Sequence, residues 1–358
     1  MFINNVIKGL KHRVFSSLFT IYHNVCIVSN KIIRPLPYNV TVSITSYCNF
    51  RCIGCNYGKT FMVGHELELE TIQKLIDVAS MRGYKNIRIY GGEPLLHKRL
   101  NKIIEYSVEK GLDPYISTNG YFLGERIGEL YQSGLRFISF GFYGIEDEYD
   151  NYVKVKGAYK KVINSLETVR EKFGDDVVLQ MNWLFMKPTC NEWSFSKAFN
   201  IALKYKIRFK IDLIHYSLPY FNEGTNGELQ FSKEDEENIK KMVKLFIEYK
   251  KKHPKIFAQT IVGLKSIPDW LLLKQEMRVP CDKYKMVWIG PNGDVKVCYV
   301  DFLLGNLYKE RLEDLLHSRK HKIAVRNIIK NNCPNCHCGY DERINRYFKT
   351  FLKYKIFD

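Results

Sequence analysis

The sequence predicts an α/β protein, with a partial (β/α)6 TIM-like barrel followed by a small C-terminal domain rich in cysteine. Three observations predict this fold. Strand-like and helical patterns alternate through residues 37–255, a hairpin signal follows at Pro291-Asn292-Gly293-Asp294, and eight of the ten cysteines lie in two regions. At 358 residues the chain is longer than most single domains, which agrees with a main domain and a smaller second one.

Six strand patterns alternate with five helical patterns, which predicts a parallel sheet with right-handed crossovers. Six units are fewer than the eight of a closed barrel, so the predicted barrel is open. A long charged helix at residues 230–252 is expected to close it, and hairpin strands are expected at 287–289 and 295–299. The predicted barrel strands are residues 40–44, 86–90, 114–117, 137–142, 177–185 and 208–214, and the helices are residues 69–79, 100–108, 126–131, 159–169 and 196–205.

The composition excludes several classes of protein. Hydrophobic residues make up 46% and charged residues 26%, which is typical of a globular chain and not of a disordered one. The chain lacks an apolar run of about 18 residues, and its least polar stretch, residues 14–30, lacks the small-residue cleavage site that a signal peptide would have. We therefore expect a cytoplasmic protein, in which clustered cysteines usually bind metal. The 55 basic and 38 acidic residues give a net charge of +17, which indicates either an anionic partner or a basic solvated surface.

Both ends of the chain are basic and amphipathic. Residues 1–36 place an apolar stripe beside basic residues, and residues 343–358 interleave five aromatic with five basic residues. Each segment either lies on an anionic membrane surface or packs on the protein itself, and packing is the simpler interpretation. The N-terminal stripe consists of Ile3, Ile7, Leu10, Val14, Leu18, Ile21 and Val25.

Three cysteines follow the first predicted strand at C-x3-C-x2-C spacing: Cys48, Cys52 and Cys55. In a TIM-like sheet the loop after a strand lies at the catalytic end. Three thiolates in so short a loop can hold one iron–sulfur cube, and the fourth iron is then open to a small molecule. A zinc site would need a fourth Cys or His nearby, and the loop contains none.

This loop resembles the cluster-binding loop of the radical S-adenosylmethionine (SAM) superfamily, and the six-strand pattern matches the partial barrel of that family. The resemblance implies a [4Fe-4S] cluster whose open iron binds the amino and carboxylate groups of SAM. Reductive cleavage would then give a 5′-deoxyadenosyl radical that abstracts a substrate hydrogen. The protein would position the cofactor and protect the radical from side reactions. A flavodoxin- or ferredoxin-type electron donor is expected as a partner.

The segment Gly91-Gly92-Glu93-Pro94, after the second predicted strand, resembles the family's GGE element, which binds the methionine amino group. Two glycines let backbone carbonyls approach a ligand closely, and Glu93 offers an acceptor to an ammonium group. Taken alone, the segment would be only a tight turn.

Polar residues on the next three strands are further candidates for binding SAM. Ser117 and Asn119 lie in a segment that resembles the family's TNG element, near the active site. Ser139 and Asn182 match positions where relatives hydrogen-bond the ribose and carboxylate of SAM. As isolated residues on strands they would equally suit a structural role. The motifs identify no catalytic side chain.

The spacing Cys281-x11-Gly293-x4-Cys298 resembles the opening of the SPASM extension, an auxiliary-cluster domain of many relatives. The full form has seven cysteines; because only three more follow here, we expect one auxiliary iron–sulfur cluster of the shortened "twitch" type, at residues 270–342. A structural zinc site is the alternative. The remaining Cys26 and Cys190 are interpreted as buried apolar thiols. The predicted cluster ligands are Cys281, Cys298, Cys333 and Cys336, with Cys338 as an alternate.

These motifs specify the chemistry and leave the substrate open. The first hypothesis is modification of a peptide or protein, although no leader-binding domain is evident ahead of the barrel. The alternatives are a membrane-associated lipid and a sugar or aminocyclitol intermediate. A non-catalytic nucleic-acid-binding protein is disfavoured, because the SAM motifs would then have no purpose.

Overall fold

The computed structural model describes residues 21–22, 24–25, 39–216, 226–281 and 283–356. Most of the predicted N-terminal stripe lies outside the described residues, as do Cys26 and the last two residues of the predicted C-terminal tail. Within the described part of the chain, no helix combines the length and the apolar character that crossing a membrane requires.

One nine-stranded sheet runs through the molecule, in the order β6-β5-β4-β3-β2-β1-β7-β8-β9. Neighbouring strands from β1 to β6 are all parallel, which confirms the predicted open barrel. The C-terminal hairpin continues the same sheet, because β7 pairs in parallel with β1 and then antiparallel with β8. The strands are β1 Asn39–Thr45, β2 Asn86–Gly91, β3 Asp113–Thr118, β4 Phe137–Phe142, β5 Val178–Phe185, β6 Arg208–Leu213, β7 Met286–Ile289, β8 Asp294–Lys296 and β9 Leu303–Asn306.

The five predicted barrel helices are all present, and two of the differences from the prediction have a simple cause. The charged closing helix begins at Glu236, because Ser232 and Asp235 form a capping box on a preceding 3₁₀ turn. A seven-residue helix after β4 was not predicted, since it is too short for a periodic pattern. The helices are α1 Leu69–Met81, α2 Leu100–Glu109, α3 Leu123–Gln132, α4 Asp147–Val153, α5 Ala158–Phe173, α6 Glu192–Lys204, α7 Asn226–Leu229, α8 Glu236–Lys252, α9 Ile261–Lys265, α10 Ile267–Leu273, α11 Leu312–Leu315, α12 Arg319–Ile329, α13 Tyr340–Arg346 and α14 Phe348–Ile356.

Successive side chains on each strand point to opposite faces of the sheet, so that one face forms the hydrophobic core and the other lines the site. On β5 the buried Trp183 packs against Phe195 of α6, with ring centroids 5.6 Å apart, and Phe195 packs against Phe246 of α8 at 4.7 Å. Burying one such aromatic side chain contributes about 1.5–3 kcal/mol. The next residue towards the other face, Asn182, is polar and lines a cavity. The helices therefore cover the apolar outer face, and the inner face is left for polar groups.

The C-terminal helices pack on the protein over the described residues. Arg343 is only 1% exposed, lies 4.9 Å from the Trp270 ring centroid and donates to the Cys336 carbonyl. The Tyr354 hydroxyl and the Lys353 ammonium both bond to Asp269 on α10. This packing supports the packed-helix interpretation of the tail.

Candidate functional site

The inner face of the sheet borders a cavity of about 560 Å³. Its wall contains all three thiols of the first cysteine loop and, from the C-terminal region, the Cys338 thiol. All the predicted SAM-binding residues except Glu93 line it as well: Gly91, Gly92, Ser117, Asn119, Ser139 and Asn182. The structure thus brings the two cysteine regions and the strand motifs to one cavity.

The first cysteine loop is held by the end of α4. The amides of Arg51 and Ile53 donate to the carbonyls of Val153 and Tyr152, at 3.0 and 2.9 Å. Gly54 permits this close packing, because a Cβ there would lie 3.0 Å from the Tyr152 hydroxyl. Backbone contacts with α4 therefore help to fix the conformation of the loop.

The three thiols lie in surroundings that oppose their ionisation. Burial and then the nearby Glu93 raise the pKa of Cys48 to about 12, and burial raises the pKa of Cys52 and Cys55 as well. A bound cationic metal centre would reverse this preference, since metal ligation deprotonates thiols.

The donor set fits an iron–sulfur cluster: three soft thiols without a fourth ligand in the loop, beside a cavity that admits a small molecule. In the part of the chain that the structure describes, no three His, Cys, Asp or Glu side chains are arranged to hold a single metal ion.

The glycine pair at the end of β2 lies against the backbone of the cysteine loop. A Cβ on Gly91 would lie 2.2 Å from the Thr45 carbonyl oxygen, and one on Gly92 would lie 2.3 Å from that of Tyr47. The amide of Gly92 donates to Thr45 at 2.8 Å, and that of Glu93 donates to Tyr47 at 2.7 Å. Only glycine fits at both positions, which leaves a cradle without side chains on the cavity wall.

The Glu93 carboxylate is fully buried and points away from the cavity wall. It accepts from the Thr118 hydroxyl at 2.6 Å, the Asn119 amide at 2.7 Å and the Leu95 amide at 2.9 Å. Burial raises its pKa to about 7, and these three donors oppose that shift. In this structure Glu93 therefore joins the turn after β2 to the turn after β3, and its predicted contact with an ammonium group stays a prediction.

Polar side chains form a network on the inner face of the strands. Asn182 donates to Ser139 at 2.7 Å, and Asn119 donates to Asn49 of the cysteine loop at 2.9 Å. These groups present hydroxyl and amide donors beside the thiols, where a nucleoside or an amino acid could be bound.

Sequence reasoning missed several charged residues of the cavity. Arg88 on β2 donates to the Ser117 hydroxyl at 2.9 Å and to the Tyr299 hydroxyl at 2.7 Å, which links the barrel to the C-terminal region. The available signal in the sequence was the presence of charged residues on otherwise apolar strands. That these side chains all face one cavity depends on the curvature of the sheet, which the sequence alone does not reveal. The other missed cavity residues that can carry charge are Lys210, Asp212, His215, Lys283 and Glu342.

The five C-terminal cysteines are brought together around the Cys336 thiol. The Cys338 thiol hydrogen-bonds to Cys336 and lowers the pKa of Cys336 to about 6. Cys298 lies within electrostatic reach of Cys281 and Cys336, and Cys333 within reach of Cys336. Five soft thiols from two chain segments fit an auxiliary iron–sulfur cluster, and Cys338 is the one that lines the cavity.

Two families of known proteins match the chain. The radical SAM superfamily matches residues 42–186. The iron–sulfur cluster-binding domain called SPASM matches residues 281–339. The first match contains the cysteine loop after β1, and the second contains the five C-terminal cysteines.

Individual proteins resemble parts of the chain or its fold. A GTP 3′,8-cyclase of Campylobacter fetus subsp. fetus (strain 82-40) is 33% identical over 132 residues, which are 36% of this chain and 41% of that protein. The chain thus spans less than half the length of this curated relative.

Two solved structures share the fold. Native anSMEcpe with bound AdoMet and the Cp18Cys peptide has a TM-score of 0.65 at 15% identity, over 89% of this chain and 97% of that one. Streptococcus suis SuiB bound to the precursor peptide SuiA has a TM-score of 0.59 at 14% identity, over 89% of this chain and 72% of that one.

Proposed function

The chain belongs to the radical SAM superfamily and carries a C-terminal SPASM iron–sulfur domain, and we propose that it uses this chemistry to modify a peptide or protein. The observation that carries the proposal is the shared cavity, whose wall contains the thiols of the first loop and Cys338 of the SPASM domain. A substrate in this cavity would contact both regions at once.

When bound, the [4Fe-4S] cluster and SAM supply a 5′-deoxyadenosyl radical that abstracts a hydrogen atom from the substrate. Cys48, Cys52 and Cys55 would hold the cluster. The side-chain-free cradle at Gly91 and Gly92 would admit the methionine part of SAM. The buried aromatic rings of Tyr149 and Tyr152 on α4, whose end binds the cysteine loop, would shield that side of the loop from water.

The strand network would orient the rest of SAM. The Ser139 and Asn182 side chains already bond to each other, so both are held in place before a ligand arrives. Glu93 would act as a positioning residue, because its carboxylate fixes the Asn119 amide and the Thr118 hydroxyl beside the cysteine loop. Because these side chains are already ordered, less conformational entropy would be lost when SAM binds.

The SPASM thiols would hold an auxiliary cluster beside the part of the cavity wall that Cys338 lines. A cluster there could bind the substrate or accept the second electron of an oxidation. Cys281, Cys298, Cys333 and Cys336 are proposed as ligands with Cys338 as the alternate, and the contact between Cys336 and Cys338 keeps both in reach.

A peptide substrate is favoured by the fold comparison. Both solved structures described above hold a peptide, and each covers most of this chain at a TM-score near 0.6. Their low identity supports the fold alone, so the nature of the substrate is our proposal.

A nucleotide is the second candidate substrate. Its support is the name of the curated relative, a GTP 3′,8-cyclase, together with three cationic side chains on the cavity wall. Arg88, Lys210 and Lys283 could neutralise an anionic group such as a polyphosphate.

The two candidates are separated by one anaerobic assay. The reconstituted protein is incubated with SAM, a reductant and either GTP or synthetic peptides encoded by short reading frames next to its gene. We expect a peptide to increase the rate of 5′-deoxyadenosine formation and to be recovered with a changed mass. We expect GTP to leave that rate unchanged and to be recovered intact. Stimulation by GTP with formation of a new nucleotide product would contradict the peptide proposal.

A further inference from the structure

The Arg88 guanidinium joins two walls of the cavity. Its Nε donates to the Ser117 hydroxyl of β3 at 2.9 Å, and a terminal nitrogen donates to the Tyr299 hydroxyl at 2.7 Å. Its central carbon also lies 4.9 Å from the ring centroid of Tyr90 and 5.8 Å from that of Tyr299. These contacts hold the positive charge of Arg88 at a fixed place beside the cavity.

The contact with Arg88 leaves the Tyr299 hydroxyl as a donor. An arginine side chain has no hydrogen-bond acceptor, so the Tyr299 oxygen accepts in this bond and its own proton points elsewhere. Within the described residues the Tyr299 hydroxyl has no group to donate to, and Tyr299 lines the cavity. The hydroxyl can therefore donate to a ligand in the cavity.

Tyr115 supplies a second hydroxyl next to the first. It is the Cα partner of Arg88 in the pairing of β3 with β2, so the two side chains leave the sheet side by side on the cavity face. Arg88 and Tyr299 lie within electrostatic reach of Tyr115, and burial raises the pKa of Tyr115, so its hydroxyl keeps its proton at neutral pH. This hydroxyl has no hydrogen-bond partner in the part of the chain that the structure describes. Two phenolic donors and one fixed cation thus border the same part of the cavity.

The charge of the cavity wall suits a ligand with a single negative charge. Among the described residues the wall contains three cations and two carboxylates, and burial lowers the pKa of His215 to about 3, so that histidine is neutral. These side chains leave a net charge of +1, which matches one carboxylate and is too small to neutralise a polyphosphate. The cations are Arg88, Lys210 and Lys283, and the carboxylates are Asp212 and Glu342.

We propose that Arg88, Tyr115 and Tyr299 form a subsite for a carboxylate of the peptide substrate, which is either an Asp or Glu side chain or the C-terminal carboxylate. This inference rests on the proposed function. An ionised carboxylate only accepts hydrogen bonds, so each hydroxyl can donate to one of its oxygens while the guanidinium neutralises its charge. Because the cation is already fixed, little order would be lost on binding.

The subsite lies further from the carboxyl ends of the strands than the glycine cradle does. Arg88 precedes Gly91 by three residues on β2, which corresponds to about 10 Å along the strand. An extended peptide spans that distance in about three residues. The bound carboxylate is therefore expected within about three residues of the modified residue.

The test measures peptide binding to the full-length reconstituted protein with SAM and without reductant, so that binding is separated from turnover. The probes are N-terminally labelled synthetic peptides encoded by short reading frames next to the gene. Each is made in three forms: unchanged, with Asn and Gln in place of every Asp and Glu, and with a C-terminal amide. Tyr115→Phe with Tyr299→Phe removes both hydroxyls and keeps both rings. Tyr106→Phe with Tyr131→Phe is the matched control, since these hydroxyls bond to carboxylates outside the cavity.

We expect the wild type and the control to bind one of the two altered forms about tenfold more weakly than the unchanged peptide, and that form identifies the source of the carboxylate. The Tyr115 and Tyr299 double variant should bind the unchanged peptide equally weakly and should not distinguish the three forms.

Equal binding of all three forms by the wild type would overturn the subsite, as would retained discrimination in the double variant or an equal loss in the control. Weaker binding of GTP by the double variant with unchanged peptide binding would assign the hydroxyls to phosphate and would also overturn it. Each of these results leaves peptide modification standing if the wild type changes the mass of a peptide once reductant is added. If no peptide is bound or modified, the proposed function fails and the subsite fails with it.

Discussion

At the scale of single residues, the protonation state of a side chain in the site depends on the groups around it. Glu93 is an example, because a carboxylate that accepts three hydrogen bonds is also deprived of water. Its raised pKa means that the folded protein binds a proton more tightly than the unfolded chain does. Ionisation of Glu93 therefore opposes folding in the absence of ligands.

We predict that Glu93→Gln changes the pH dependence of stability. In the wild type, Glu93 lowers the free energy of unfolding as pH rises from the unfolded value near 4.5 to the folded value of about 7, and not above it. The variant should lack this decrease, although it should lose about 1–3 kcal/mol near neutral pH through an unsatisfied buried group. Urea unfolding of the cluster-free protein at several pH values measures both effects. Parallel pH curves for the two proteins would contradict the account.

At the scale of elements, the site depends on the close approach of the turn after β2 to the loop after β1. The Gly92 position has no room for a Cβ, because the Tyr47 carbonyl oxygen lies within 2.3 Å of where it would be. The neighbouring atom is backbone, so it cannot move aside as a flexible side chain would.

Gly92→Ala should push the two loops apart. We expect a loss of about 1–3 kcal/mol in stability and a clear loss of SAM affinity, measured by chemical unfolding and by equilibrium dialysis. Gly128→Ala is the control, since its Cβ would meet no atom within 4 Å on α3, where alanine favours the helix. If Gly92→Ala bound SAM as tightly as the control, the cradle would have no role in binding.

The elements were more predictable from sequence than the cavity. Strand periodicity located β1 to β6 within one or two residues, and motif spacing located the cysteine loop and the glycine pair. The pairing of β7 with β1 left no local signal, since it joins residues more than 240 positions apart. Consequently the link between Arg88 and Tyr299, and the place of Cys338 on the cavity wall, required the structure.

At the scale of the whole molecule, the net charge of +17 indicates an anionic partner or a basic solvated surface. One candidate partner is an anionic membrane, bound through the basic ends of the chain, although the C-terminal helices are packed on the protein over the described residues.

Membrane binding is tested by flotation with anionic liposomes. Each basic residue near such a surface contributes about 1 kcal/mol. Because Arg343 is buried and Lys353 bonds to Asp269, the basic residues of the N-terminal segment would have to supply most of this attraction, which high salt screens. We predict that the protein floats with anionic vesicles at low salt and that deletion of residues 1–34 weakens this binding. Equal recovery with neutral and anionic vesicles, or none with either, would leave both ends as packed segments.

The central claim is that Cys48, Cys52 and Cys55 hold the cluster that cleaves SAM, while the SPASM thiols hold a second one. The most direct measurement compares iron content and 5′-deoxyadenosine formation in C48A/C52A/C55A, with Cys190→Ala as a control at a buried thiol outside both sites. We predict that the triple variant contains about four irons, which is about four fewer than in the wild type, and that it forms no 5′-deoxyadenosine. The Cys190→Ala control should match the wild type in both measurements. Cleavage of SAM by the triple variant, or loss of all its iron, would contradict this account.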